Sequence, residues 1–161
     1  KPHVGYLVTQ VTLKQLRDLM ELREILELAA VERAASRITS QQLEELEEIY
    51  AGYKGDDDES YARYTAENRT FHCAIAQATG NQELTDVLGH LHDRLARFMV
   101  LRHAGETMQY SHARIVEALR ARRADEACRA MRDELIETHE IVMERVIQEQ
   151  GDYWALGGRK D

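Results

Sequence analysis

Asn68 and His72 stand four residues apart in the run Glu67-Asn68-Arg69-Thr70-Phe71-His72-Cys73-Ala74-Ile75. On a helix that spacing stacks the two side chains on one face. The face is otherwise apolar, carrying Tyr64, Phe71 and Ile75. Groups with lone pairs on a core-facing stripe require hydrogen-bond partners or a metal. Three further residues have the same character. Arg23 lies in line with Leu16, Met20, Leu26 and Ala30, His112 with Met108, Ile115, Val116 and Leu119, and Glu134 with Met131, Leu135, Thr138 and Ile141. Two imidazoles (His72 and His112), the Glu134 carboxylate and the Asn68 amide oxygen make a donor set for a divalent ion: zinc, nickel, manganese or iron. The alternative is a polar cluster hydrogen-bonded to itself with no metal. Arg23 carries a planar fork that suits a carboxylate. An i,i+4 pair with Glu27, or a stem reaching outward to solvent, is the plainer account of it. His139 points about 140° away from Glu134 around the helix and is left out of the ligand set. His90, His92 and His103 are read as surface or capping groups.

These side chains must be positioned by helices. Periodic apolar residues predict a first helix from Leu13 to about Ser36, and Thr39 with Gln42 has capping-box spacing for a second. The third runs from about Glu59 to Thr79. Gly80 is placed to end it in a left-handed conformation, and Asn81 to cap the fourth, which extends to near His103-Ala104-Gly105. A fifth spans Glu106 to about Ala121 and a sixth Ala124 to about Gln148, with 151–161 a loop-like tail. The acidic run Gly55-Asp56-Asp57-Asp58 lacks the alternation of a calcium loop and reads as a solvated turn. His3-Val4-Gly5-Tyr6-Leu7-Val8-Thr9 is strand-like but too short to stand alone, either the edge of a neighbouring domain or a frayed end.

Composition sets limits on this picture. The 161 residues are 43% hydrophobic, enough for one domain with a core, and a single Pro with nine Gly favours helices throughout. Cys73 and Cys128 lack any framework spacing and read as reduced thiols of a cytoplasmic protein. No apolar run is long enough to span a membrane. A formal charge of −8 argues against this chain itself gripping a phosphate backbone.

Taken in order, several segments resemble the ligand-sensing C-terminal domain of the FadR subfamily of GntR transcription regulators. They are Gly5-Tyr6-Leu7-Val8-Thr9, Leu22-Arg23-Glu24-Ile25-Leu26-Glu27, Phe71-His72 with Ala78-Thr79-Gly80-Asn81, and His112-Ala113-Arg114-Ile115-Val116-Glu117-Ala118-Leu119. The resemblance implies an all-α antiparallel bundle of six or seven helices. Residues 1–10 would be the end of a winged-helix DNA-binding domain and its linker, and 11–150 the effector-binding domain. It also implies a homodimer, operator DNA bound through the N-terminal domain and not through this chain, and action as a repressor. The family commonly holds its metal with an Asp and three His. Here Asn68 stands at the Asp position and Glu134 at that of the third His, so one carboxylate leaves the set and another enters. Arg122-Arg123 replaces the Gly-Asp common before the last helix.

The expectation is therefore an effector-binding domain for a small carboxylate metabolite, met by Arg23 and a divalent ion held by Asn68, His72, His112 and Glu134. The alternative function is a metal-dependent helical-bundle enzyme of hydrolase type. Such an enzyme needs a separately positioned acid or base, which these stripe residues do not supply.

Overall fold

The computed structural model describes residues 12–51, 58–98 and 105–157, and the expected wing strand at 1–10 lies outside them. The chain is all-α: α1 (Leu13–Arg37), α2 (Ser40–Ala51), α3 (Asp58–Ala78), α4 (Gln82–Leu95), α5 (Gly105–Arg120) and α6 (Ala124–Gly157), with a 3-10 turn at Ala96–Phe98 after α4.

Local chemistry explains the helix ends. Thr12 and Gln15 form a reciprocal capping box at the start of α1. Thr39 and Gln42 do the same before α2, through Thr39 N–H to Gln42 Oε1 (2.9 Å) and Gln42 N–H to Thr39 Oγ1 (3.2 Å). Gly80 adopts φ 72°, and Asn81 Oδ1 accepts from Leu84 N–H at 3.2 Å to open α4. The end of α5 is closed by Arg123 N–H to Ala118 O and Arg122 N–H to Leu119 O, both 3.0 Å, with Arg122 at φ 58°. That is the paired 6→1 and 5→2 bonding that usually calls for glycine at the left-handed position.

Two boundaries differ from those read in the sequence. The fourth helix stops at Leu95, and α6 continues past Gln148 through Gly151 to Gly157. One glycine costs a helix only about 1 kcal/mol relative to alanine, and the chain's single Pro is Pro2. Nothing in 149–157 therefore forces a stop.

Helix α1 is the central element, in contact with α3, α4, α5 and α6, while α2 packs on α3 and α5. Its buried stripe mixes Leu16, Leu19, Met20, Ala30, Val31, Ala34 and Ala35 with two charged residues, Arg23 and Glu27. Phe71, Ile75, Leu88, Leu95, Ile115, Leu119 and Met131 complete the interior. Charges on the inner face of the innermost helix are costly unless other elements neutralise them. The helices facing α1 must therefore bring partners.

Candidate metal and effector site

Each facing helix does bring one. His72 comes from α3, His92 from α4, His112 from α5 and Glu134 from α6, and all are buried together with Arg23 and Glu27 of α1. Glu27 is the organiser. Its Oε2 lies 3.0 Å from His72 Nδ1, its Oε1 lies 2.8 Å from His92 Nε2, and Arg23 Nε approaches Oε1 at 3.4 Å. An ionised carboxylate only accepts, so both imidazoles present N–H groups to it. That choice fixes the His72 tautomer with Nδ1–H toward Glu27 and the Nε2 lone pair toward the centre of the bundle.

At that lone pair, Arg23 Nη2 sits 3.1 Å away. A guanidinium has no lone pair to offer, so His72 Nε2 is the acceptor and the geometry is that of the neutral ring. Burial works against a charge on His72, but Glu27 and Glu134 outweigh it and raise its pKa to about 9. A proton and the Arg23 guanidinium are thus rivals for one lone pair: the 3.1 Å contact suits the neutral ring, and the raised pKa favours the proton. Glu134 Oε1 lies 3.8 Å from His72 Nε2 and accepts from Thr138 Oγ1 at 2.9 Å, while its Oε2 faces Arg23 Nη2 at 3.6 Å.

The electrostatics sort the remaining groups. Burial, reinforced by the charge of His72, pushes His112 down to about 3, so this imidazole stays neutral. Its ring stacks on Phe71 at 3.8 Å between centroids and meets His72 edge-on at 5.5 Å. Burial also lowers His92, despite its bond to Glu27. For Glu134, burial is outweighed by Arg23 and then His72, and for Glu27 by His72 and then His92. Both carboxyls are held below the usual carboxylate range. With His72 neutral, the two carboxylates exceed the one guanidinium by a single negative charge, and with His72 protonated the ring is neutral overall.

The donors fit a divalent ion. Ligand atoms of His72, His112 and Glu134 lie within 4.8 Å of one another, as do those of Glu27, His72 and His92. Ligands about 2.1 Å from a tetrahedral ion are themselves about 3.4 Å apart, so the first group needs only a small contraction. In the second group, Glu27 is already engaged by N–H groups, which makes it the outer support of the first. Among the described residues, Asn68 Oδ1 and Glu134 Oε2 are buried acceptors without a hydrogen bond, and Arg23 Nη1 is a buried donor without one. Unsatisfied buried atoms of this kind indicate a missing partner.

Of the residues singled out in the sequence, His72, His112, Glu134 and Arg23 come together, and Asn68 is buried one helical turn before His72. The i,i+4 pair of Arg23 with Glu27 is present, and Glu27 also accepts from His72 and His92. His92 is not a surface group: it is 4% exposed and bonded to Glu27. The stripe rule that finds Glu134 also selects both, since His92 lies in line with Leu88, Leu91 and Leu95, and Glu27 with Arg23, Ala30 and Val31. A separate surface cleft of about 390 Å³ between α5 and α6 is lined by Arg114, Arg123, Glu126 and Asp133 among others. Four of its charges pair with one another, Arg114 with Asp133 at 3.0 Å and Arg123 with Glu126 at 2.9 Å, and none of its lining side chains is among the buried groups left without a hydrogen bond.

Comparison with known proteins agrees with this architecture. The FCD domain family matches residues 18–138. No curated protein gives a match. Among solved structures, Escherichia coli McbR/YncC is similar with a TM-score of 0.77 at 20% identity, over 86% of this chain and 69% of that one. Streptococcus agalactiae GntR gives 0.68 at 23% identity, over 84% and 61%. A GntR-family transcriptional regulator from Pseudomonas syringae pv. tomato gives 0.69 at 19% identity, over 94% and 65%. At these identities the likeness is one of fold, and the chain spans only about two thirds of the length of these structures or less.

Proposed function

Because the chain belongs to the FCD domain family, we propose that it is the effector-binding domain of a GntR-family transcription regulator, and that it senses a small carboxylate metabolite through a bound divalent ion. The observation that carries this reading is the buried ring of Arg23, Glu27, His72, His112 and Glu134. A purely structural core would rarely keep so many ionisable groups, because hydrophobic replacements of similar volume are often as stable or more so.

In this reading His72, His112 and Glu134 hold the ion, with Asn68 as a weaker fourth donor. The ion would supply a Lewis-acid position for one oxygen of the effector carboxylate. Arg23 meets the other oxygen, and the apolar walls around Phe71 and Ile115 select the rest of the molecule. Glu27 keeps His72 in the tautomer that faces the ion and His92 secures Glu27 in turn. Neither is free to act as a general acid or base, which weighs against the hydrolase alternative.

Residues 1–10 would end a winged-helix DNA-binding domain that meets operator DNA, leaving 11–150 as the sensor. The similar structures are longer than the part this chain covers, which leaves room for a further domain. A homodimer belongs to this reading through the family, and exposed Leu22 (40%) and Ile25 (58%) on α1 are candidates for its contact. Effector binding would then act by preferring one arrangement of the paired domains over another.

The test is calorimetric titration of small carboxylic acids into metal-loaded wild type and Arg23→Lys. Lysine keeps the charge but loses the fork, so affinity for the cognate acid should fall by about 1.5–3 kcal/mol. Equal affinity in the two proteins would remove Arg23 from effector recognition.

A further inference from the structure

Arg23 occupies an unexpected place for a residue that merely waits for an effector. It is fully buried, and its Nη2 lies 3.1 Å from His72 Nε2 and 3.6 Å from Glu134 Oε2. Those are two of the three residues that would hold the ion. The other nitrogen of His72 is committed to Glu27 at 3.0 Å, so Nε2 is the only lone pair that this ring can give a cation. An ion bonded to Nε2 would sit about 2.0–2.1 Å from it, in the space that the guanidinium N–H now fills. Two positive charges cannot share that position, and in a low-dielectric interior their repulsion is poorly screened.

We propose that Arg23 is a built-in rival of the metal: the guanidinium and a divalent ion compete for His72 and Glu134, and metal entry requires Arg23 to swing aside. This rests on the metal-dependent sensing proposed above and adds an order to it. With Arg23 in place, its guanidinium is already shared between the two carboxylates, Glu27 at 3.4 Å and Glu134 at 3.6 Å, and has little left for an anionic effector. A divalent ion adds positive charge at His72 and Glu134, which an incoming carboxylate offsets. The displaced guanidinium also loses its bonds to the metal ligands and needs a new anion. Its Nη1, already buried without a hydrogen bond among the described residues, marks it as incompletely satisfied even before displacement. Metal and carboxylate therefore bind with positive cooperativity, the metal first. Arg23 links them by leaving one partner for the other.

The consequence runs against the usual effect of deleting a buried charge beside a site. Arg23→Met removes a competitor, so zinc alone should bind it more tightly than wild type, by on the order of tenfold or more, the free energy of one charged hydrogen bond. Arg23→Lys should fall between the two. The measurement is zinc affinity by competition with a chromophoric chelator, without added carboxylate, for wild type, Arg23→Met and Arg23→Lys. A crystal structure of zinc-loaded wild type provides a second reading that does not depend on the variants folding. It should show Arg23 Nη2 beyond hydrogen-bond distance of His72 Nε2. Tighter zinc binding by Arg23→Met supports the proposal, as does binding by that variant when wild type binds none. Equal or weaker binding by a folded Arg23→Met, or a zinc-loaded wild type with Arg23 still on His72, overturns it while leaving metal-dependent sensing intact. No zinc binding by either protein overturns both.

Discussion

His72 is held at both ends of its ring, by Glu27 at Nδ1 and by Arg23 at Nε2, and the two contacts have different meanings. The first sets the tautomer and persists whether or not a cation is bound. The second exists only while the lone pair is not otherwise used. Glu27→Gln tests the first. The substitution removes the charge and one acceptor oxygen, so the ring no longer has a fixed orientation. Outer-sphere losses of this kind typically cost 10–100-fold in metal affinity, and that range is expected for zinc here. The nitrogen-15 shifts of the His72 ring should also move from the Nδ1–H pattern toward a mixture. Unchanged zinc affinity with an unchanged ring spectrum would mean that Glu27 serves Arg23 alone.

At the scale of the elements, two left-handed residues predict opposite mutational signs. Gly80 has φ 72° with nothing within 4 Å of where a Cβ would be, so Gly80→Ala costs only backbone strain. A loss of about 1–2 kcal/mol in urea unfolding is expected, and a neutral result would deny the strain. Arg122 has φ 58° and already bears that strain, offset in part by a bond from its Nη1 to Ala35 O at 3.2 Å. Arg122→Gly should gain up to about 1 kcal/mol, the strain relieved less one hydrogen bond. A clear loss would show that the bond to Ala35 outweighs the strain.

The same scale shows what the sequence made legible. The capping box at Thr39 and Gln42, the turn at Gly80-Asn81, and the Asn68–His72 spacing are local features, and each is a feature of the fold. Apolar periodicity also placed His112 and Glu134 on inward faces. His92 has an innocent local explanation as a helix-surface histidine, which the structure overturns, and the i,i+4 pair of Arg23 with Glu27 is present but accounts for only one of the Glu27 contacts. Only the packing of α4 and α3 against α1 makes Glu27 a shared acceptor. The position of Arg23 on the lone pair of His72 depends on rotamers, which no spacing encodes.

For the whole molecule, the buried ring ties stability to pH. His112 and His92 have pKa values lowered in the fold from the ordinary 6.5, so the unfolded chain takes up protons first as pH falls. Their contribution is complete above about 6.5 and is lost below it, for His112 down to about 3. Glu27 and Glu134, also lowered, add a further loss below the ordinary carboxylate value of 4.5. His72 has the opposite sign: raised to about 9, its contribution is complete below 6.5 and declines as pH rises to 9. The metal-free protein should therefore be most stable near pH 6.5, with melting temperature falling on both sides. Melts in chelator from pH 3 to 10 check this, and a profile flat between 6.5 and 9 would remove the His72 contribution. Saturating zinc should flatten the alkaline side, because the ion replaces the proton on His72.

Divalent-ion binding by the buried ring separates a metal site from a cluster bonded only to itself. Native mass spectrometry of the purified 161-residue chain, with elemental analysis of the same sample, tests it most directly. One divalent ion per chain is expected, retained by His92→Gln at reduced occupancy and lost from His112→Ala and Glu134→Gln. A wild-type chain that stays metal-free after incubation with zinc, nickel, manganese and iron would contradict it, and would make the ring a hydrogen-bonded cluster neutralised by Arg23 alone.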